Sequence, residues 1–126
     1  MKLAVLGVGL IGGSIGLAAR DRGLAEVTGW VRNPDRAEDC LRVGAVDHMA
    51  PTVEEACKDA DVVVCCASVG SLIEMGRMAL EAAPSDCVVT DVGSTKQELV
   101  EALGSDRRFI GGHPLAGAET AGVMNA

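Results

Sequence analysis

The chain has 126 residues, 48% of them hydrophobic, and a formal net charge of −7. That length and apolar content suit one compact domain with its own core, while an acidic balance without a basic patch excludes general binding to nucleic acid or anionic membranes. Aromatic residues are nearly absent, Trp30 and Phe109 alone, so Val, Leu, Ile, Ala and Cys must fill the core.

The amino terminus opens with an apolar run, Lys2 to Leu6, that breaks at Gly7-Val8-Gly9-Leu10-Ile11-Gly12 and resumes as Ser14-Ile15-Gly16-Leu17-Ala18-Ala19. Strand, tight turn and helix form the context in which a GxGxxG spacing carries meaning. The first glycine permits the turn, the second lets backbone approach a pyrophosphate, and the third lets helix pack on strand. Gly7, Val8, Gly9, Leu10, Ile11 and Gly12 are therefore the expected cofactor-binding loop, with the phosphates at the helix N-terminus, where free N–H groups and the helix dipole favour an anion. Ile11, Ile15, Ala18 and Ala19 are expected to line the buried face. The opening run is too short for a secretory signal, and no stretch is long enough to span a bilayer.

Glu26 to Trp30 reads as the second strand. An NAD site places an acidic residue for the adenosine ribose about twenty residues past the glycines. Val31 and then Arg32 stand there instead. An arginine accepts a 2′-phosphate, so the expected cofactor is NADP, with NAD possible. Asn33 is placed to cap a helix from Pro34 to Val43, and a short third strand is expected at Val46 to Met49, with His48 a loop or strand-end residue. Thr52 with Glu55 three residues on has capping-box spacing and opens the next helix.

Val62 to Cys66 is the fourth strand, in which Cys65 and Cys66 read as small buried hydrophobes. Five cysteines, without framework or zinc-ligand spacing, imply a reducing, cytoplasmic compartment and no metal site. Ala67 and Ser68 follow that strand, where they can contact the nucleotide. Leu72, Met75, Gly76 and Ala79 recur at helical spacing, Cys87 to Asp91 gives strand five, Lys96 to Leu103 a further helix, and Arg108 to Gly111 strand six. Asp91 can organise the turn after strand five through backbone hydrogen bonds. Leu115 to Ala126 shows no clear strand. Near-continuous apolar strands alternating with helices imply an α/β, Rossmann-type, doubly wound, mostly parallel sheet with helices on both faces.

Three motifs, GVGLIGGSIGLAAR at residues 7–20, DVGSTK at 91–96 and GGHPLAGAETAG at 111–122, together resemble the prephenate and arogenate dehydrogenase family of tyrosine biosynthesis. The histidine motif is the discriminating one. The resemblance marks residues 1–126 as a dinucleotide-binding domain, which in the family continues into a mostly helical domain that forms the homodimer and completes the substrate site. It implies NAD(P)-dependent oxidative decarboxylation of prephenate or arogenate: hydride leaves the hydroxyl-bearing ring carbon for the nicotinamide, carbon dioxide departs, and the ring becomes aromatic.

By position in the motif, His113 matches the catalytic histidine that polarises the substrate hydroxyl, a task suited to neutral imidazole. Ser94 matches the serine that contacts that histidine and the hydroxyl. Read from the residues alone, Ser94 or Thr95, with Glu98 beyond, is instead a helix cap. Glu119 resembles an acidic residue at the active-site mouth, or is a solvated loop carboxylate. Lys96 either attracts the substrate's carboxylates or is a surface lysine. The family commonly carries a proline after a serine or threonine beyond strand four, whereas this chain has Ala67-Ser68-Val69-Gly70 and gives up that ring's rigidity. Two alternatives stand beside this reading: another Rossmann oxidoreductase of the hydroxyacid or imine-reducing type, with no role for His113, and a non-catalytic nucleotide-binding module. The 126-residue chain by itself is expected to bind NADP and to turn over poorly.

Overall fold

The computed structural model describes residues 1–115 and 120–126. In chain order the elements are β1 (Lys2–Leu6), α1 (Leu10–Asp21), β2 (Glu26–Trp30), a 3-10 turn (Pro34–Arg36) running into α2 (Ala37–Arg42), β3 (His48–Met49), α3 (Val53–Cys57), β4 (Val62–Cys65), α4 (Val69–Ala82), β5 (Val88–Asp91), α5 (Gln97–Leu103), β6 (Phe109–Ile110) and a closing 3-10 turn (Val123–Asn125). All six strands are parallel, in the order β3-β2-β1-β4-β5-β6. That is the doubly wound arrangement the apolar strands imply, with its switch point between β1 and β4.

Because successive strand residues point to opposite faces, β1 feeds two cores. Ala4 and Leu6 pack with Val63, Cys65 and Val89 under α3, α4 and α5, through Val53, Leu72, Met75 and Leu99. Leu3 and Val5 pack with Val27 and Val64 against α1, Cys40 and Val46. Each of the fully buried Leu and Val side chains contributes about 1.5–3 kcal/mol of transfer free energy, which stands in for the missing aromatic residues. The two predicted caps form: Asn33 Oδ1 accepts from Asp35 N–H at 3.1 Å, and Thr52 Oγ1 accepts from Glu55 N–H at 3.1 Å.

Three local expectations change. The buried face of α1 is Gly12, Gly13, Gly16 and Ala19, while Ile11 and Ile15 are half-buried and Ala18 is exposed. The reason is close approach. A methyl group on Gly16 would overlap the carbonyl oxygen of Ala45, so the helix turns its smallest residues to the sheet and its isoleucines to the flank. The helix expected at 34–43 starts as a 3-10 turn, and the third strand shrinks to His48–Met49. Ahead of it, Asp47 N–H donates to Val27 O at 2.8 Å, and the Asp47 carboxylate accepts from Val27 N–H and Arg20 Nε, each at 2.8 Å. The carboxy-terminal segment folds back as well: Val123 is buried against α1, where a Cβ on Gly13 would lie 2.8 Å from Val123 Cγ2.

Gly16→Ala should lower stability by about 2–3 kcal/mol, because backbone rather than a flexible side chain must yield. Gly70→Ala, in α4 with nothing within 4 Å of the new methyl, should raise it by about 0.5 kcal/mol. Urea unfolding of both variants checks the pair, and a harmless Gly16→Ala would contradict the close packing.

The Val27 N–H, aided by the Arg20 guanidinium, holds the Asp47 carboxyl below the usual carboxylate range. A depressed folded value means that its contribution is present above the ordinary range, near pH 4, and is lost as pH falls through the folded value. Asp47→Asn should therefore be less stable than the parent at pH 7 and lose less on going to pH 3, as read from urea midpoints.

Candidate active site

Trp30, Leu6, Cys65 and Asp91 stand side by side across β2, β1, β4 and β5. Since these strands are parallel and end together, the segments that follow them emerge along one edge, where open α/β sheets bind ligands. The Gly7–Gly12 loop, Arg32, Ala67, Ser68, Ser94 and His113 all leave the sheet there. Glu119 lies outside the described residues.

The glycine loop is shaped by contact with the backbone beside it. Gly7 has φ +95°, and a Cβ there would sit 2.6 Å from Cys66 O. Its N–H donates to Trp30 O at 2.8 Å. At Gly12 a Cβ would overlap Gly7 O and approach Val5 Cγ1 to 3.0 Å. At Gly9 nothing lies within 4 Å, so the reason for a glycine there lies outside the domain's own packing. Val8 turns its side chain into the core and offers only backbone to the rim. Helix α1 starts without a side-chain cap and without an acidic residue in its first turn. Gly13 N–H reaches Gly9 O at 2.8 Å, and the N–H groups of Leu10, Ile11 and Gly12 ahead of it have no helical partner. The loop thus fits a dinucleotide's diphosphate, by backbone alone.

Two clefts flank this loop. One, of about 370 Å³, is lined by Gly7, Val8, Gly9, Arg32, Arg36 and Val123 among others. The second, of about 280 Å³, is lined by Gly7, Trp30, Arg32, Ala67, Ser68 and Ser71. Among the described residues neither lining contains a carboxylate, in a chain of net charge −7. Arg32 is exposed and its Nη2 donates to Ser71 Oγ at 3.2 Å, with Ser68 Oγ 3.3 Å from that same hydroxyl. Ser71 N–H also donates to Ser68 O at 2.9 Å, and Val69 is the first residue of α4. The loop that lacks the family proline is therefore held by a helix start. Arg36, Ser71 and Val123 escaped the sequence reading. Arg36 had a signal in the Asn33-Pro-Asp-Arg turn, whereas Val123 reaches the cleft only through the folded tail.

Burial, and after it the Asp91 carboxylate, pushes the Cys66 thiol up to about 12; burial pushes Cys57 to about 12 as well. All five thiols are free, and no cluster of metal-ligating side chains occurs among the described residues. Cys65 is buried in β4 as expected and Cys66 beside it is half-buried, while Cys40, Cys57 and Cys87 are buried as well.

Beyond β5, the N-cap of α5 is Lys96, without a side-chain hydrogen bond, so neither Ser94 nor Thr95 caps the helix. Ser94 is exposed and its hydroxyl makes no hydrogen bond among the described residues, including to His113. Asp91, 2% exposed, does organise the turn: Oδ2 accepts from Gly93 N–H at 2.7 Å and Oδ1 from Gly112 N–H at 3.1 Å. Lys96 is half-buried, and its ammonium pairs with Asp91 Oδ2. His113 is exposed, with Nδ1 3.1 Å from Pro114 O. A carbonyl only accepts, so this contact assigns the proton to Nδ1 and leaves the Nε2 lone pair as an acceptor. His48 instead faces Glu26, Nε2 to Oε1 at 3.0 Å, well away from the rim. A broad depression of about 780 Å³ lies at the opposite end of the sheet. Its Arg108 is committed to Asp106 and to the carbonyls of Leu80, Ala83 and Pro84.

A family model described as prephenate dehydrogenase, nucleotide-binding domain, matches residues 15–126. Prephenate dehydrogenase of Bacillus subtilis is 34% identical over 134 residues, covering 100% of this chain and 36% of its own length. The crystal structure of prephenate dehydrogenase from A. aeolicus in complex with hydroxyphenyl propionate and NAD+ superposes with a TM-score of 0.88 at 30% identity, covering 98% of this chain and 45% of that one. Arogenate dehydrogenase of Synechocystis gives 0.92 at 28% identity, over 100% of this chain and 45% of that one. The chain thus spans less than half the length of these relatives. No helix among the described residues is long and apolar enough to cross a membrane. With its all-parallel sheet, open glycine cradle and these matches, the chain belongs to the prephenate dehydrogenase family, as its nucleotide-binding domain.

Proposed function

We propose that this chain binds NADP in preference to NAD and forms the cofactor-facing part of a prephenate or arogenate dehydrogenase. The observation that carries the reading is the convergence of the uncapped glycine cradle, Arg32 and His113 on one edge of the sheet, with no carboxylate among the described residues that line the clefts beside the glycine loop. The A. aeolicus relative is in complex with NAD+, so the cradle serves a diphosphate common to both cofactors. Choice between them falls to the end of β2, where Val31 offers nothing to the ribose hydroxyls and Arg32 offers a guanidinium, with Arg36 in the same cleft.

When bound, the nicotinamide accepts hydride from the substrate's hydroxyl-bearing ring carbon. The chain's own residues do the rest. Gly7 to Gly12 hold the diphosphate through backbone N–H groups, and Ala67 and Ser68 bound the nucleotide on the β4 side. His113 Nε2 takes the hydroxyl proton as the C–H bond breaks, and the Nδ1–H bond to Pro114 O supports the resulting imidazolium. Loss of carbon dioxide leaves a phenolate, to which the same proton returns. Ser94, with a hydroxyl unengaged among the described residues, can donate to and accept from the substrate hydroxyl, and Glu119, outside the described residues, is assigned to the substrate by its place in the histidine motif alone. Because Lys96 is engaged by Asp91, the cations that read the substrate's carboxylates are proposed to come from outside residues 1–126. The family's helical domain would supply them and the homodimer contact. Five free thiols agree with a reducing cytoplasm as the site of action.

Calorimetric titration of the chain at matched salt should show NADP binding at least about tenfold tighter than NAD, and Arg32→Ala should abolish that difference by weakening NADP alone. Equal affinities in the parent would refute the cofactor assignment and leave the fold untouched.

In the full-length enzyme, His113→Asn should lower turnover by about a hundredfold or more while cofactor affinity stays within about twofold. Parallel loss of both would make His113 a structural residue.

A further inference from the structure

Asp91 is the one charged side chain buried among the described residues, and the proton and hydride steps above do not use it. Its two carboxylate oxygens hold two different loops, each by the residue immediately preceding a proposed catalytic side chain. Oδ2 binds Gly93 N–H, next to Ser94, and Oδ1 binds Gly112 N–H, next to His113. Strand β6 ends at Ile110, after two register pairs with β5. Beyond it, the Gly112–Asp91 bond is what ties the 111–115 loop to the sheet among the described residues.

The contacts around that bond are close on every side. A Cβ on Gly112 would overlap the Asp91 carbonyl oxygen and come within 3.0 Å of Thr90 Oγ1; one on Gly93 would sit 2.5 Å from Leu72 Cδ1 and 3.0 Å from Asp91 Oδ2. Lys96 supplies the countercharge that a carboxylate this buried requires, and its stem lies along Gly111, 3.4 Å from where a Cβ would stand.

We propose that Asp91, neutralised by Lys96, is a positioning residue for turnover: one buried carboxylate sets the His113 loop and the Ser94 loop relative to each other. The proposal rests on the reading of His113 as the proton acceptor. A proton acceptor displaced by about 1 Å costs on the order of a hundredfold in rate, whereas the glycine cradle lies on β1 and α1 and does not depend on this brace.

The test compares Asp91→Asn with Gly112→Ala in the full-length enzyme. The second variant lifts the loop from β5 without touching the buried charge, and so answers the question even where the first does not fold. Each should lower kcat by about ten- to a hundredfold, leave cofactor affinity within about twofold, and shift the His113 ring resonances. The resonances that vanish in His113→Asn identify those of His113. Turnover and cofactor affinity falling together, or unmoved His113 resonances with parental kcat, would overturn the proposal. His113→Asn run alongside separates the failures. If it abolishes turnover while the two brace variants do not, only the positioning role is lost; if it leaves turnover intact, the catalytic reading falls and takes this one with it.

Discussion

Helix α1 lies so near the backbone around it that a single methyl group cannot be placed at two points, Gly12 over the Gly7 carbonyl just beyond β1 and Gly16 over the Ala45 carbonyl ahead of β3. That approach aims the start of α1 into the edge where the strands end. With Gly9, which has no side chain, at the N-cap, the N–H groups of Leu10, Ile11 and Gly12 stay open. The same closeness forces the isoleucines outward and lets the carboxy-terminal turn seat Val123 on Gly13, which adds a wall to the cofactor cleft. Cofactor geometry, cleft shape and the path of the tail thus follow from the absence of side chains along one helical face.

Electrostatics at the rim follows from where charges are withheld. The chain carries eighteen acidic and eleven basic residues, yet among the described residues the clefts beside the glycine loop hold two arginines and no carboxylate. A nearby carboxylate would repel a 2′-phosphate at a range that salt screens only beyond about 8 Å. The one carboxylate buried close by among the described residues, Asp91, is paired with Lys96 and accepts from two backbone N–H groups, so it presents little field to a ligand. This division keeps an acidic protein able to receive an anion at one place.

Much of the fold was legible because its strands and helices are locally consistent. Short β-branched or apolar stretches at β1, β4 and the start of β5, cap residues at Asn33 and Thr52, and helical spacing in α4 each specify their element without distant contacts. The errors fell where tertiary packing overrides local pattern. Helical periodicity placed the isoleucines of α1 inward, because it registers hydrophobicity and is blind to how close a helix must come. The capping-box spacing at Thr95 and Glu98 was real but unused, since the Asp91–Lys96 pair draws the helix start to Lys96.

The sequence by itself determined the alternation of strands and helices, the glycine loop, the arginine at the end of β2 and the histidine motif, because each is encoded by residues close in the chain. Only the tertiary structure decided that Lys96 is spent on Asp91, that Arg36 and Val123 share the cofactor cleft, and that Gly93 and Gly112 hang from one carboxylate. Gly112 lies 21 positions from Asp91 and Val123 lies far from Arg36 in the chain, and even the short Asp91–Lys96 and Asp91–Gly93 contacts depend on the turn beyond β5; they exist only once six parallel strands end at one level.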